Sequence, residues 1–386
     1  MSNIQPFTIN VPQSDLDDLQ SRLSATRFTD EPEPAGWNYG VNPNYLRELV
    51  NYWQHSYDWR TQEAALNRYP QFQIDIDGVT IHFIHVKGSG SSSRPLLLTH
   101  GWPDSFYRFY KVIPMLTDPG AHGGDPAQAF DVIVPSIPGF GFSSLVAMNT
   151  DKVAALFQKL MDELGYREYI AAGGDLGSTI TKSLAVQFPG SVKAIHLTDV
   201  GYPTGFEDWS KMTPAEQEFG KIIQHWWYTE GAYNMIQSTK PQTLGYGLND
   251  SPAGLAAWIV EKFYSWSDCK GNIENSFTKD ELITNIMIYW VTQTINTSAR
   301  AYLEEARATY TQPGGLRSGQ HVDVPTGVAI FPAEAPVPRE WADRKVNVQR
   351  FTKMQEGGHF AALEKPELWV GEIRAFFETI SLQGTK

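Results

Sequence analysis

Asp175 stands in Gly173-Gly174-Asp175-Leu176-Gly177-Ser178, directly after the apolar run Tyr169-Ile170-Ala171-Ala172. Small residues around one reactive side chain at a strand-to-helix turn are the build of a nucleophile elbow, with an aspartate where a serine is usual. That exchange changes the chemistry. A serine acylates itself on esters and amides, whereas a carboxylate attacks saturated carbon and becomes an alkyl ester. Strained or activated sp³ carbons, as in epoxides and haloalkanes, are the matching electrophiles. The plainer alternative is a glycine-rich turn whose aspartate caps the next helix.

A carboxylate ester needs a base to hydrolyse it. Of nine histidines, only His359 comes late in the chain, flanked by glycines in Gln355-Glu356-Gly357-Gly358-His359-Phe360. Such a loop can swing an imidazole over a sheet, though a surface histidine would look the same. Two acids compete to orient it. Glu334 follows Phe331-Pro332-Ala333, and Asp199 ends His196-Leu197-Thr198; Glu334 is the preferred reading, and either could be a cap or a solvated charge. In His100-Gly101-Trp102-Pro103 the Trp102 N–H, with that of Leu176, can converge on one Asp175 oxygen and stabilise charge during hydrolysis. His82 and His85, three apart in a strand, point to opposite faces and form no metal pair.

These residues need a frame. Residues 12–23 read as a helix capped by Ser14, with Leu16, Leu19 and Leu23 on one face. Tyr45–Trp53 reads as a second helix, Thr61 as the cap of a third, and Asp30–Asn44 as an irregular wrap. Asp77-Gly78 between two alternating runs signals a hairpin. Short apolar runs at 95–99, 130–134, 169–172 and 192–197 then alternate with helical patterns at 151–164 and 178–187. This rhythm predicts an α/β fold with a mainly parallel sheet and active loops at the strands' carboxyl ends. It stops near 205 for about a hundred Trp- and Tyr-rich helical residues and resumes with runs at 324–331 and 346–352. A helix from Pro366 carries Leu368, Trp369, Ile373, Phe376, Phe377 and Ile380. The expected partition is an N-terminal meander (1–70), a core in two parts (71–204 and 319–386) and a lid (205–318).

The formal charge of −12 argues against nucleic acid or an anionic membrane as partner. One cysteine, Cys269, cannot form an internal disulfide, Met1–Asn10 lacks the apolar centre of a signal peptide, and no run of 18 apolar residues is present. The expectation is a soluble, cytoplasmic chain; a dimer is left open.

With nucleophile, acid and histidine in that chain order, nearly the whole sequence resembles the microsomal and juvenile-hormone type of epoxide hydrolase. These are α/β-hydrolases with an N-terminal meander. Phe7–Pro12 resembles the family's wrapping segment, His100–Pro103 its oxyanion motif and Gly173–Ser178 its nucleophile motif. Val324–Glu334 resembles the segment with its charge-relay acid, and Gly357–Ala362 the one with its base. Ile236–Pro241 and Leu248–Ala256 are similar to its lid signature. The resemblance implies an α/β-hydrolase fold with an eight-stranded, mostly parallel sheet, and no metal or organic cofactor. It also implies that Tyr233 and Tyr302 hold and protonate the opening oxygen, a role suited to a phenol that stays protonated at neutral pH. The partners implied are water and a small apolar or aryl epoxide; Trp226, Trp227, Tyr228, Phe263, Trp266 and Trp290 are candidate lining for it and could equally be lid core.

Against the resemblance, Leu176 stands where microsomal relatives often have Trp, a soluble enzyme without their N-terminal anchor is the expectation, and Ser143–Thr150 reads as shorter than usual. A haloalkane dehalogenase would use the same Asp175 and His359 but needs halide donors, commonly a Trp beside the nucleophile. A serine esterase would need Ser at 175. A non-catalytic binding protein of the same fold would usually lack a triad member, and none is missing here.

Overall fold

The computed structural model describes residues 4–30, 36–90, 93–205, 207–311 and 319–380. The chain opens with strand β1 (Gln5–Phe7) and helices α1 (Gln13–Ser24), α2 (Pro43–His55) and α3 (Trp59–Leu66). Their caps differ from expectation. Pro12 occupies the cap position of α1 without any side-chain bond, and Ser14 Oγ turns to Asp15 instead. Asp58, not Thr61, caps α3; Thr61 already lies inside the helix and donates its hydroxyl to Asp58. Part of the expected wrap, residues 31–35, lies outside the described residues.

The hairpin β2 (Gln71–Ile76) and β3 (Val79–Val86) turns on Asp77 (φ 55°) and Gly78 (φ 77°). Both are left-handed, as a two-residue turn matching strand twist requires. Then come β4 (Arg94–Thr99), α4 (Val112–Thr117), β5 (Phe130–Pro135), α5 (Thr150–Glu163), β6 (Tyr169–Gly173), α6 (Leu176–Gln187) and β7 (Val192–Leu197). An all-helical insertion follows: α7 (Pro214–Thr229), α8 (Ala232–Thr239), α9 (Pro241–Asp250), α10 (Pro252–Ser265), α11 (Lys279–Thr292) and α12 (Ile295–Thr311). The chain closes with β8 (Val322–Ile330), α13 (Arg339–Lys345), β9 (Val346–Lys353), α14 (Ala361–Glu364) and α15 (Pro366–Phe377). Ile380, expected in the last helix, lies beyond it, and the expected boundary at 318 falls outside the described residues.

The sheet order is β1-β2-β3-β5-β4-β6-β7-β8-β9, antiparallel through β3/β5 and parallel from β5 to β9. Among the described residues it has nine strands rather than eight. The extra one is β1, too short and too proline-broken to read as a strand, and an edge position tolerates Pro6 because one side of its backbone needs no partner. Central strands are covered on both faces: Leu96–Leu98, Val132–Val134 and Ile170–Ala172 are fully buried. Because β4 and β6 pair directly, Thr99 opposite Gly173, the loops leaving their carboxyl ends meet.

The insertion is bonded onto that edge. Asn285 of α11 donates to the Pro103 carbonyl at 2.8 Å, and Tyr289 donates to the Asp104 carbonyl at 2.6 Å. From α12, Thr297 donates to the Gly139 carbonyl, while Glu305 accepts both the N–H and hydroxyl of Thr150. The N-terminal helices brace the insertion from outside through Tyr52–Asp280 and Tyr57–Thr284. Among the described residues no helix is long and apolar enough to cross a membrane.

Candidate active site

Asp175 follows β6 with φ 59° and ψ −131°, a conformation unfavourable for any residue with a side chain. Close packing enforces it: a Cβ on Gly177 would fall inside the Thr99 carbonyl, and one on Gly101 would overlap the Asp175 side chain. Asp175 Oδ1 accepts the Trp102 N–H at 2.9 Å and the Leu176 N–H at 2.7 Å. The convergence expected of these two donors is therefore present in the resting state. Asp175 Oδ2 lies 3.5 Å from His359 Nε2, an atom with no hydrogen-bonding partner among the described residues.

His359 Nδ1 donates to Glu334 Oε2 at 2.6 Å. Glu334 Oε1 accepts the Ala335 N–H and the Tyr202 hydroxyl. Asp199 lies beside the group but is occupied otherwise: its Oδ2 accepts the Asp175 N–H at 3.0 Å, bracing the strained turn. Of the two acids, Glu334 is the one on the imidazole. Burial alone would push the His359 imidazole down, yet Glu334 and Asp175 together hold it up at about 10. Burial opposes ionisation of Asp175 too, but His359 and the two N–H donors keep its carboxyl below the usual range. Glu334 is lowered against burial by His359 and the Ala335 N–H. Burial, then Glu334, raises Asp199. The two carboxylates thus favour the imidazolium in the free site, and the loss of one anion favours the neutral imidazole that a base needs.

Tyr233 and Tyr302 stand against the Trp102 indole, the first stacked at 5.2 Å and the second edge-on at 6.0 Å. Their rings are 6.1 Å apart, one from α8 and one from α12. Burial and the Asp175 charge raise both phenols, so both are protonated. Asp175, His359, Glu334 and Tyr233 face a cavity of about 260 Å³, with Tyr202, Ile222, Ile223, Trp226 and Trp266 among its walls.

The chain matches the model of the epoxide hydrolase N terminus over residues 4–109 and that of the alpha/beta hydrolase fold over residues 94–234. It is 40% identical to Epoxide hydrolase 1 of Sus scrofa, over 99% of this chain and 90% of that protein. The chain belongs to the epoxide hydrolase family. Among solved structures it superposes on the juvenile hormone epoxide hydrolase of the silkworm Bombyx mori with a TM-score of 0.87 at 32% identity, covering 98% of this chain and 96% of the other. The epoxide hydrolase of Aspergillus niger gives 0.84 at 30%, with the same coverage.

Within this member of the epoxide hydrolase family, the six aromatic residues expected to line the substrate space divide. Trp226 and Trp266 reach the cavity. Trp227 lines a separate, outer groove of about 1010 Å³ that shares Tyr202 and Ile223 with the inner wall. Phe263 is buried against Phe360, Tyr228 is exposed, and Trp290 lies in a groove beside Arg22. Two charged residues escaped the sequence reading. Arg108 is buried, paired with Asp104, and donates to the His359 carbonyl. Lys262 lies over the rings of Tyr233 and Trp266, at 5.1 and 5.5 Å. In sequence, Asp104/Arg108 looks like an ordinary surface pair one turn apart, and nothing local marks Lys262. The two strand histidines part as expected: His82 bonds Ser136 and Gln71, and His85 bonds Tyr166.

Proposed function

We propose that the chain converts epoxides to vicinal diols through an ester on Asp175. One arrangement carries the reading: Oδ1 is held by two backbone donors while Oδ2 faces His359 Nε2. In the first step Oδ2 attacks the less hindered ring carbon, the C–O bond breaks, and a proton from Tyr233 or Tyr302 goes to the departing oxygen. Attack consumes the Asp175 charge that raises both phenols, so proton donation becomes easier as it is needed. It also removes one of the two anions that hold His359 protonated. The imidazolium can then pass its proton, through water, to the tyrosinate left by the first step; the neutral imidazole takes a proton from the attacking water and directs the hydroxide to the ester carbonyl. The resulting oxyanion lies on Oδ1, where Trp102 and Leu176 already donate. Collapse breaks the Cγ–Oδ2 bond, the imidazolium gives its proton to the departing oxygen, and the diol is released; the new carboxyl then returns its proton to His359. Glu334 orients the imidazole and stabilises its cation.

The insertion, residues 205–318, acts as the lid that supplies the tyrosines, over a core of 71–204 and 319–386 wrapped by the meander of 1–70. The aromatic and aliphatic walls favour a small apolar or aryl epoxide. A cytoplasmic setting agrees with the lone, buried Cys269.

The test is a single turnover in heavy-oxygen water: the label should enter Asp175, not the diol. His359→Gln should then accumulate an adduct of the substrate's mass. Label appearing directly in the diol would exclude the covalent route.

A further inference from the structure

The loop carrying His359 leaves β9 and passes beside residues 266–268, where the chain leaves α10 of the insertion. The two backbones are joined at close quarters. His359 N–H donates to the Trp266 carbonyl at 2.8 Å, and the Gly357 N–H to Asp268 Oδ2 at 3.1 Å. Phe263 of α10 stacks on Phe360 at 4.0 Å with the rings nearly parallel. One buried carboxylate completes the join. Glu364, at the end of α14, accepts the Asp268 N–H on Oε2 and the Phe360 N–H on Oε1, both at 2.9 Å.

Glu364 is buried and does not line the reaction cavity. Each of its oxygens satisfies one backbone donor, one on the insertion and one beside His359. Without them, the buried Phe360 N–H and the half-buried Asp268 N–H would lose their partners. Arg108 holds the carbonyl side of the same loop. The imidazole is therefore placed as much by the insertion as by the sheet.

We propose that Glu364 is a positioning residue for the hydrolytic half-reaction: its two oxygens lock the 266–268 segment to the His359 loop, and that lock sets the imidazole against the aspartyl ester. This rests on the function proposed above. Alkylation needs Asp175 and the tyrosines; Tyr233 meets the locked segment only by ring contact with Trp266 at 5.2 Å, whereas the His359 backbone is hydrogen-bonded to it, so Glu364 should influence chiefly the second step.

The test is Glu364→Gln, which keeps shape but turns one acceptor into a donor facing an N–H. With styrene oxide under single-turnover conditions, adduct formation and decay are followed by rapid quench and intact mass. Alkylation is expected within about twofold of wild type and hydrolysis at least about tenfold slower. Because a slower second step lowers kcat and KM together, kcat/KM should stay nearly constant. A general loss of structure would instead lower kcat/KM. Equal slowing of both steps, or unchanged hydrolysis, would overturn the proposal. If Glu364→Gln does not fold, Phe263→Leu loosens the same join: a joint fall of kcat and KM supports the lock, and unchanged hydrolysis refutes it. Failure of the underlying function looks different, since wild type itself would then form no adduct and place no label in Asp175.

Discussion

Replacing Glu334 by Gln isolates what the carboxylate does for His359. The amide can still accept the Nδ1 hydrogen, now at 2.6 Å from Oε2, so ring orientation should largely survive while the charge is lost. The rise of the imidazole from 6.5 to about 10 corresponds to roughly 5 kcal/mol. Glu334 and Asp175 share it, and Glu334 is the larger charge effect. During hydrolysis Asp175 is esterified and neutral, so Glu334 alone stabilises the imidazolium that forms as water is deprotonated. Attributing about half of the total to it gives roughly 3 kcal/mol, or about a hundredfold slower hydrolysis. Alkylation should change far less. In rapid-quench mass spectrometry with excess substrate, most of the Glu334→Gln protein should carry the adduct. Asp199→Asn is the control: it should leave the imidazole untouched, because Asp199 accepts the Asp175 N–H instead. Wild-type hydrolysis by Glu334→Gln, or an equal loss in Asp199→Asn, would refute the assignment of the acid.

Three further outcomes are expected. Tyr233→Phe or Tyr302→Phe should slow adduct formation by about tenfold to a hundredfold, and the double variant should nearly abolish it, with adduct decay unaffected in single-turnover traces. Gly101→Ala, whose Cβ would overlap Asp175, should displace the Trp102 donor and cost about 3 kcal/mol of barrier; hydrolysis rates measured beside a melting curve separate this from misfolding. Glu372 is buried, and though burial would raise it, His196, Arg350 and Thr352 hold its carboxyl down at about 2. Its stabilisation is therefore complete above the ordinary 4.5 and is lost as pH falls through 2. Glu372→Gln should cost up to about 3 kcal/mol by urea unfolding at pH 7, shrinking as the pH is lowered from 4.5 towards 2.

What the sequence carried was local. Asp175 and His359 were legible because the paired glycines before each leave a tight loop as the natural conformation. The strand rhythm was legible because strands buried on both faces must be apolar runs. Hairpin and insertion were marked by Asp77-Gly78 and by the break in that rhythm near 205. Strand β1 was not, because three residues around a proline form a strand only when a neighbour offers an edge. The choice between Glu334 and Asp199 was likewise outside the sequence. Both end neighbouring strands, and only the paths of the following loops bring one to Nδ1 and the other to the Asp175 N–H. The upward push on the His359 imidazole comes from two carboxylates 184 and 25 residues away along the chain. Arg108 and Glu364 act on backbone groups, and backbone groups have no letter in a sequence. Residue types thus specified which reactions were open to this chain, while the fold decided which charges stand close enough to act on one another.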